Sequence, residues 1–129
     1  MGEPLVVAHI DATPFHDDCA YLPQWPGLPI GDEEGEINAG ALGDKRSILL
    51  ANHGLLTTGR SIDEAAVLAI WLEQAAQLQL RARAIGPVQP VPPERAKEAH
   101  DFLVKPRILE LTFAYFARRM LREDPGCLD

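Results

Sequence analysis

Apolar residues fall along the chain in short runs and periodic stretches, separated by proline- and glycine-rich punctuation. The run Leu5-Val6-Val7-Ala8-His9-Ile10 is short and β-branched and predicts a strand. From Asp11 to Gly31 the pattern breaks: Pro14, Pro23, Pro26 and Pro29, with Gly27, predict a long loop. Asp32-Glu33-Glu34 places acids where the first turn of a helix favours them, and Gly43 ends that helix, with Ile37, Ala41 and Leu42 on one face. Ser47-Ile48-Leu49-Leu50-Ala51 is a nearly unbroken apolar run, the pattern of a strand buried on both faces. Asn52-His53-Gly54 closes it, and Leu55 to Gly59 continues as a second extended piece.

Ser61-Ile62-Asp63-Glu64 is a capping box, in which the Ser61 hydroxyl accepts the Glu64 amide and the Glu64 carboxylate reaches back. The helix it starts runs for about 24 residues to Gly86-Pro87, a glycine stop followed by proline. Ala65, Leu68, Leu72, Ala75, Ala76 and Leu80 recur at helical steps and predict the face that packs on the sheet. A proline-rich linker, Pro87 to Pro93, leads to helices at about Glu94–Val104 and Pro106–Arg122. Trp71, Phe102, Phe113 and Tyr115 are expected in the core. The sum is an α/β fold with a mixed sheet.

Composition narrows the function classes. A chain of 129 residues with 47% hydrophobic and 24% charged positions is long enough for a packed core and too apolar for disorder. The net charge of −7 opposes a nucleic-acid partner, which would want a basic face; Arg81, Arg83, Arg118, Arg119 and Arg122 suit helix C-terminal halves instead. The longest apolar runs, Ile48–Ala51 and Ala65–Leu72, fall far short of the ~20 residues that cross a bilayer. No basic region precedes the first apolar stretch, so a cytoplasmic location is expected rather than secretion. Cys19 and Cys127 lack CxxC spacing and read as incidental thiols.

Two constellations carry chemistry. His53 sits at the mouth of the buried strand, where α/β proteins gather their ligands, and neutral imidazole is a common metal ligand. Its plainer reading is a histidine that caps a strand through a backbone hydrogen bond. No HxH or HExxH is present to complete a zinc site. His9-Ile10-Asp11 and His16-Asp17-Asp18 pair imidazole with carboxylate; on a strand, His9 and Asp11 would point the same way and could shuttle a proton or bind a metal. The plainer reading is a polar, turn-forming loop. Nothing resembles a phosphate loop, a dinucleotide fingerprint or a nucleophile elbow.

The segment SILLANHGLLTTGRSIDEAAVLAIWLEQAAQLQL, extended upstream by DEEGEINAGALGDKR, resembles the closing half of the class II aldolase/adducin family. That family includes L-fuculose-phosphate aldolase, L-ribulose-5-phosphate 4-epimerase and the adducin head domain. The resemblance covers most of Leu5 to Arg122. It implies an αβα layered fold with a mixed central sheet, of which this chain is the C-terminal half. It also implies a single partial domain over residues 1–129, with sheet and long helix in about 5–86 and C-terminal helices in 93–122.

By the same resemblance, His53 is the third histidine ligand of a catalytic divalent metal, most simply Zn2+, with Fe2+ compatible with imidazole ligation. The family's HxH motif and an upstream glutamate have no counterpart here. AHIDATPFHDD resembles an epimerase stretch in which an aspartate is the acid/base across a subunit boundary, and Asp11 is the matching position. The implied activity is metal-dependent carbon–carbon lysis or epimerisation of a small hydroxy-carbonyl substrate, absent from this chain alone for want of the HxH ligands. A homo-oligomer, a tetramer as in the family, is expected, with no nucleic acid or membrane partner. Two alternatives stand beside it. One is a non-catalytic, adducin-like association module. The other is a relative of iron-dependent oxygenases and decarboxylases of aromatic keto acids, which the TPFHDDCAYLPQWPG loop resembles.

Overall fold

The computed structural model describes residues 2–25, 27 and 32–127. Its order is a 3₁₀-helix (Ile10–Phe15), β1 (Cys19–Leu22), α1 (Glu33–Leu42), β2 (Ser47–Leu50), β3 (Gly54–Thr57), α2 (Ile62–Arg83), α3 (Pro93–Leu103) and α4 (Pro106–Glu123). The sheet is mixed, as expected. β1 and β2 pair in parallel, Cys19 opposite Ser47, and α1 forms the crossover that a parallel pair requires. β2 and β3 pair antiparallel across a tight turn, Ser47 opposite Thr57 and Leu50 opposite Gly54.

β2 is buried at all four positions, in keeping with its unbroken apolar run. α1 packs against β1, and α2 against β3 and the 3₁₀-helix. The core joins Ala12 and Phe15 of the 3₁₀-helix, Leu49 of β2, and Leu68, Leu72 and Ala75 of α2. Ser61 caps α2 as its sequence predicts, its hydroxyl accepting the Glu64 N–H at 3.2 Å. The other half of the box differs. The Glu64 carboxylate bypasses the cap and accepts the Arg60 N–H, because the Arg46 and Arg60 guanidinium groups also engage it.

Three further expectations are corrected. Leu5–Ile10 forms no strand. Its backbone polar groups go elsewhere: the Val6 N–H donates to Gln79 Oε1 at 2.7 Å, and the Val7 carbonyl accepts from the Val91 N–H at 2.8 Å. Buried Gln79 holds this stretch from α2, its amide nitrogen 3.0 Å from both Glu3 Oε1 and the Pro4 carbonyl. The Asp11–Gly31 loop contains the 3₁₀-helix, with Pro14 inside it, and β1, which Pro23 follows directly; Pro26 and residues 28–31 lie outside the described residues.

The aromatic residues, too, are not all core. Trp71 packs against the cluster and Phe113 is half-buried, whereas Phe102 and Tyr115 are exposed. Ile37 and Leu80 also face outward, and no residue of α1 is buried. No helix among the described residues is long and apolar enough to cross a membrane.

Candidate functional site

His53 occupies the turn between β2 and β3. Asn52 adopts a left-handed conformation (φ 59°), which asparagine tolerates better than most residues, and the His53 N–H closes the turn on the Leu50 carbonyl at 3.1 Å. The imidazole is therefore carried by the end of a fully buried strand while 48% of its side chain stays exposed. Its Nε2 faces Glu34 Oε1 of α1 at 3.6 Å. That is close enough for attraction and too long for a hydrogen bond.

One imidazole and one carboxylate are two donors, and a tetrahedral metal needs three or four. Among the described residues no three His, Cys, Asp or Glu side chains converge to hold an ion. His53 and Glu34 alone do not make a metal centre.

Asp11 lies in the first turn of the 3₁₀-helix, exposed, with no side-chain hydrogen bond among the described residues. His9 precedes that helix in an extended conformation, its Nε2 buried without a hydrogen-bond partner. The strand-like alignment of His9 with Asp11 is thus absent, because the chain coils after His9. No hydrogen bond or ion pair joins either residue to His53 among the described residues. His16 Nε2 lies 3.6 Å from Asp17 Oδ2 on a turn where Asp17 has φ 54°.

Asp18, by contrast, turns inward to a charge cluster that the sequence pattern does not announce. Arg46 donates its backbone N–H to Asp18 Oδ1 at 2.8 Å and Nε to Oδ2 at 2.6 Å. Its Nη1 reaches Glu64 Oε1 at 3.0 Å, and its Nη2 lies 3.3 Å from Nε2 of His100. His100 Nδ1 in turn meets Asp101 at 3.0 Å. One guanidinium therefore ties together the loop before β1, the start of β2, the start of α2 and α3. Burial pushes the Glu64 carboxyl up, but the Arg60 N–H and the Arg46 and Arg60 guanidinium groups outweigh it and hold Glu64 below the ordinary range. The signal available in the sequence was a cation set directly before a fully buried strand, since such a charge must find partners.

A family model described as the class II aldolase and adducin N-terminal domain matches residues 2–80. The chain belongs to that family. The L-fuculose 1-phosphate aldolase of Glaciozyma antarctica PI12 superposes with a TM-score of 0.81 at 33% identity, over 96% of this chain and 46% of its own length. An aldolase II superfamily protein from Pseudomonas syringae also gives 0.81, at 25% identity, over 97% of this chain and 51% of its own. A curated relative is the 4-hydroxy-3-prenylphenylpyruvate oxygenase/4-hydroxy-3-prenylbenzoate synthase of Streptomyces roseochromogenus subsp. oscitans. It is 37% identical over 87 residues, covering 67% of this chain and 31% of the relative. The chain thus spans about half the length of the solved structures and a third of that relative, so the architecture is a partial class II aldolase fold.

Proposed function

We propose that residues 1–129 form a single partial domain that contributes one metal ligand and one acid/base group to a class II aldolase-like site. His53 is the ligand and Asp11 the acid/base. The placement of His53 carries the reading: a half-exposed imidazole ends a buried strand in a fold similar to a sugar-phosphate aldolase. The metal, Zn2+ or Fe2+, would supply Lewis-acid chemistry when the remaining ligands are present. The reaction class is carbon–carbon cleavage or epimerisation of a small hydroxy-carbonyl compound, in a cytoplasmic homo-oligomer. Among the described residues no three candidate ligands converge, so turnover in this reading requires the larger ligand set. The relationship to a prenylphenylpyruvate oxygenase supports a second reading, in which the assembled site holds iron and takes an aromatic keto acid.

Calorimetric titration of the 129-residue chain with zinc tests the ligand count. Weak binding, no better than that of a surface histidine pair, is expected. Tight one-to-one binding abolished by His53→Ala would refute it and require a second ligand set here. With an HxH-bearing N-terminal half restored, His53→Ala loses metal and activity together. Asp11→Asn keeps the metal and lowers turnover by about 10²–10⁴-fold, the usual contribution of a positioned acid/base. Release of the metal by Asp11→Asn would make Asp11 a ligand instead.

A further inference from the structure

α3 lies along the 3₁₀-helix, and between them a groove of about 570 Å³ opens, lined by Ile10, Ala99, Phe102 and Leu103. That volume is within the range of small-molecule sites, about 300–1,000 Å³. Ile10 is 65% exposed and Phe102 55%, so two large apolar side chains on neighbouring elements stand uncovered on one concave surface. The charges at its rim are unequal. Arg95 is paired with Glu98 at 2.8 Å, and Asp101 with Lys97 at 2.6 Å and His100 at 3.0 Å. Lys105, in the turn between α3 and α4, has no carboxylate within ion-pair reach among the described residues. Its ammonium sits 5.0 Å over the Phe102 ring. In a chain of net charge −7, the groove charge left uncompensated among the described residues is positive.

We propose that this groove binds a small apolar carboxylic acid, its hydrocarbon or ring against Ile10 and Phe102 and its carboxylate on Lys105. Phe102 offers a ring face or edge to an aromatic ligand, and the ammonium held over that ring is placed to meet an anion at the ring's margin. The groove shares no residue with the His53–Glu34 corner, so it stands or falls separately from the metal reading.

The test is a heteronuclear NMR titration of the full chain with 4-phenylbutyrate, 4-phenylbutanol and butyrate. Phenylbutyrate is expected to give saturable shifts confined to residues 10–15 and 93–105. The neutral alcohol should bind about fivefold more weakly, the scale of one exposed ion pair. Butyrate, which lacks the ring, should bind about tenfold more weakly. Lys105→Gln should bring phenylbutyrate down to the level of the alcohol, and Lys105→Arg should restore it. Lys105 is exposed, so neither variant is expected to disturb folding. Equal binding of acid and alcohol, or indifference to Lys105→Gln, would overturn the proposal. So would shifts elsewhere, or shifts that follow protein concentration and mark the groove as a contact between copies.

Discussion

Arg46 grips the carboxylate of Asp18, 28 residues earlier in the chain, with both its backbone N–H and its side-chain Nε. The register of β1 beside β2 follows from this grip, since Asp18 and Arg46 immediately precede the paired residues Cys19 and Ser47. The same guanidinium reaches Glu64 at the start of α2, so one cation aligns the sheet edge with the long helix.

Removing that cation takes the guanidinium from Asp18 and leaves Glu64 to Arg60 alone. Arg46→Ala is expected to cost about 1.5–3 kcal/mol, the scale for losing hydrogen bonds to charged, partly buried groups. Arg46→Lys should recover part of this, because an ammonium supplies the charge but not the fork. Urea denaturation of the three proteins measures the order; equal stability of Ala and wild type would remove the cluster from any structural role.

Glu64 makes stability depend on pH in a defined direction. Its folded-state carboxyl lies below the ordinary value, so its contribution is fully present above the usual carboxylate range, about 4.3, and is lost as pH falls through the folded value. Thermal melts from neutral pH into acid should show a decline that Glu64→Gln flattens. A variant whose acid limb keeps the wild-type slope would show that other carboxylates set it.

Gly59 is expected to reject any side chain. A Cβ there would lie 2.8 Å from the Ala65 backbone nitrogen and from Glu64 Cγ. The helix backbone cannot yield as a side chain would, so Gly59→Ala should cost about 1–3 kcal/mol, as overpacking does. Differential scanning calorimetry checks this, with Gly40→Ala, which meets nothing within 4 Å, as the reference.

The two thiols should react unequally. Burial pushes the Cys19 thiol up, against the opposing pull of Ser47, whereas Cys127 is exposed. Alkylation by iodoacetamide at neutral pH is expected to label Cys127 first and Cys19 only slowly. Comparable rates, read by peptide mass spectrometry, would mean that β1 opens readily.

What the sequence by itself determined are the features whose causes lie within a few residues. The Ser61 cap, the Ala- and Leu-rich steps of α2, the prolines that open α3 and α4, and the unbroken apolar run of β2 are all local. Each of those elements forms within a few residues of its expected bounds. The motif around His53 is equally local, and with it the family. What only the tertiary structure decided is which segments pair. Leu5–Ile10 has the composition of a strand, yet Gln79 and Val91 take its backbone hydrogen bonds. Cys19–Leu22 sits in a proline-framed loop, yet it becomes a strand because β2 offers a ladder to it. The three partners of Arg46, Asp18, Glu64 and His100, come from segments far apart in the chain, and nothing in the composition of DKRS names them. A helix satisfies its backbone groups four residues away, so its sequence can announce it. A strand or a buried charge is satisfied by whatever the fold brings alongside, and that is fixed only when the whole chain packs.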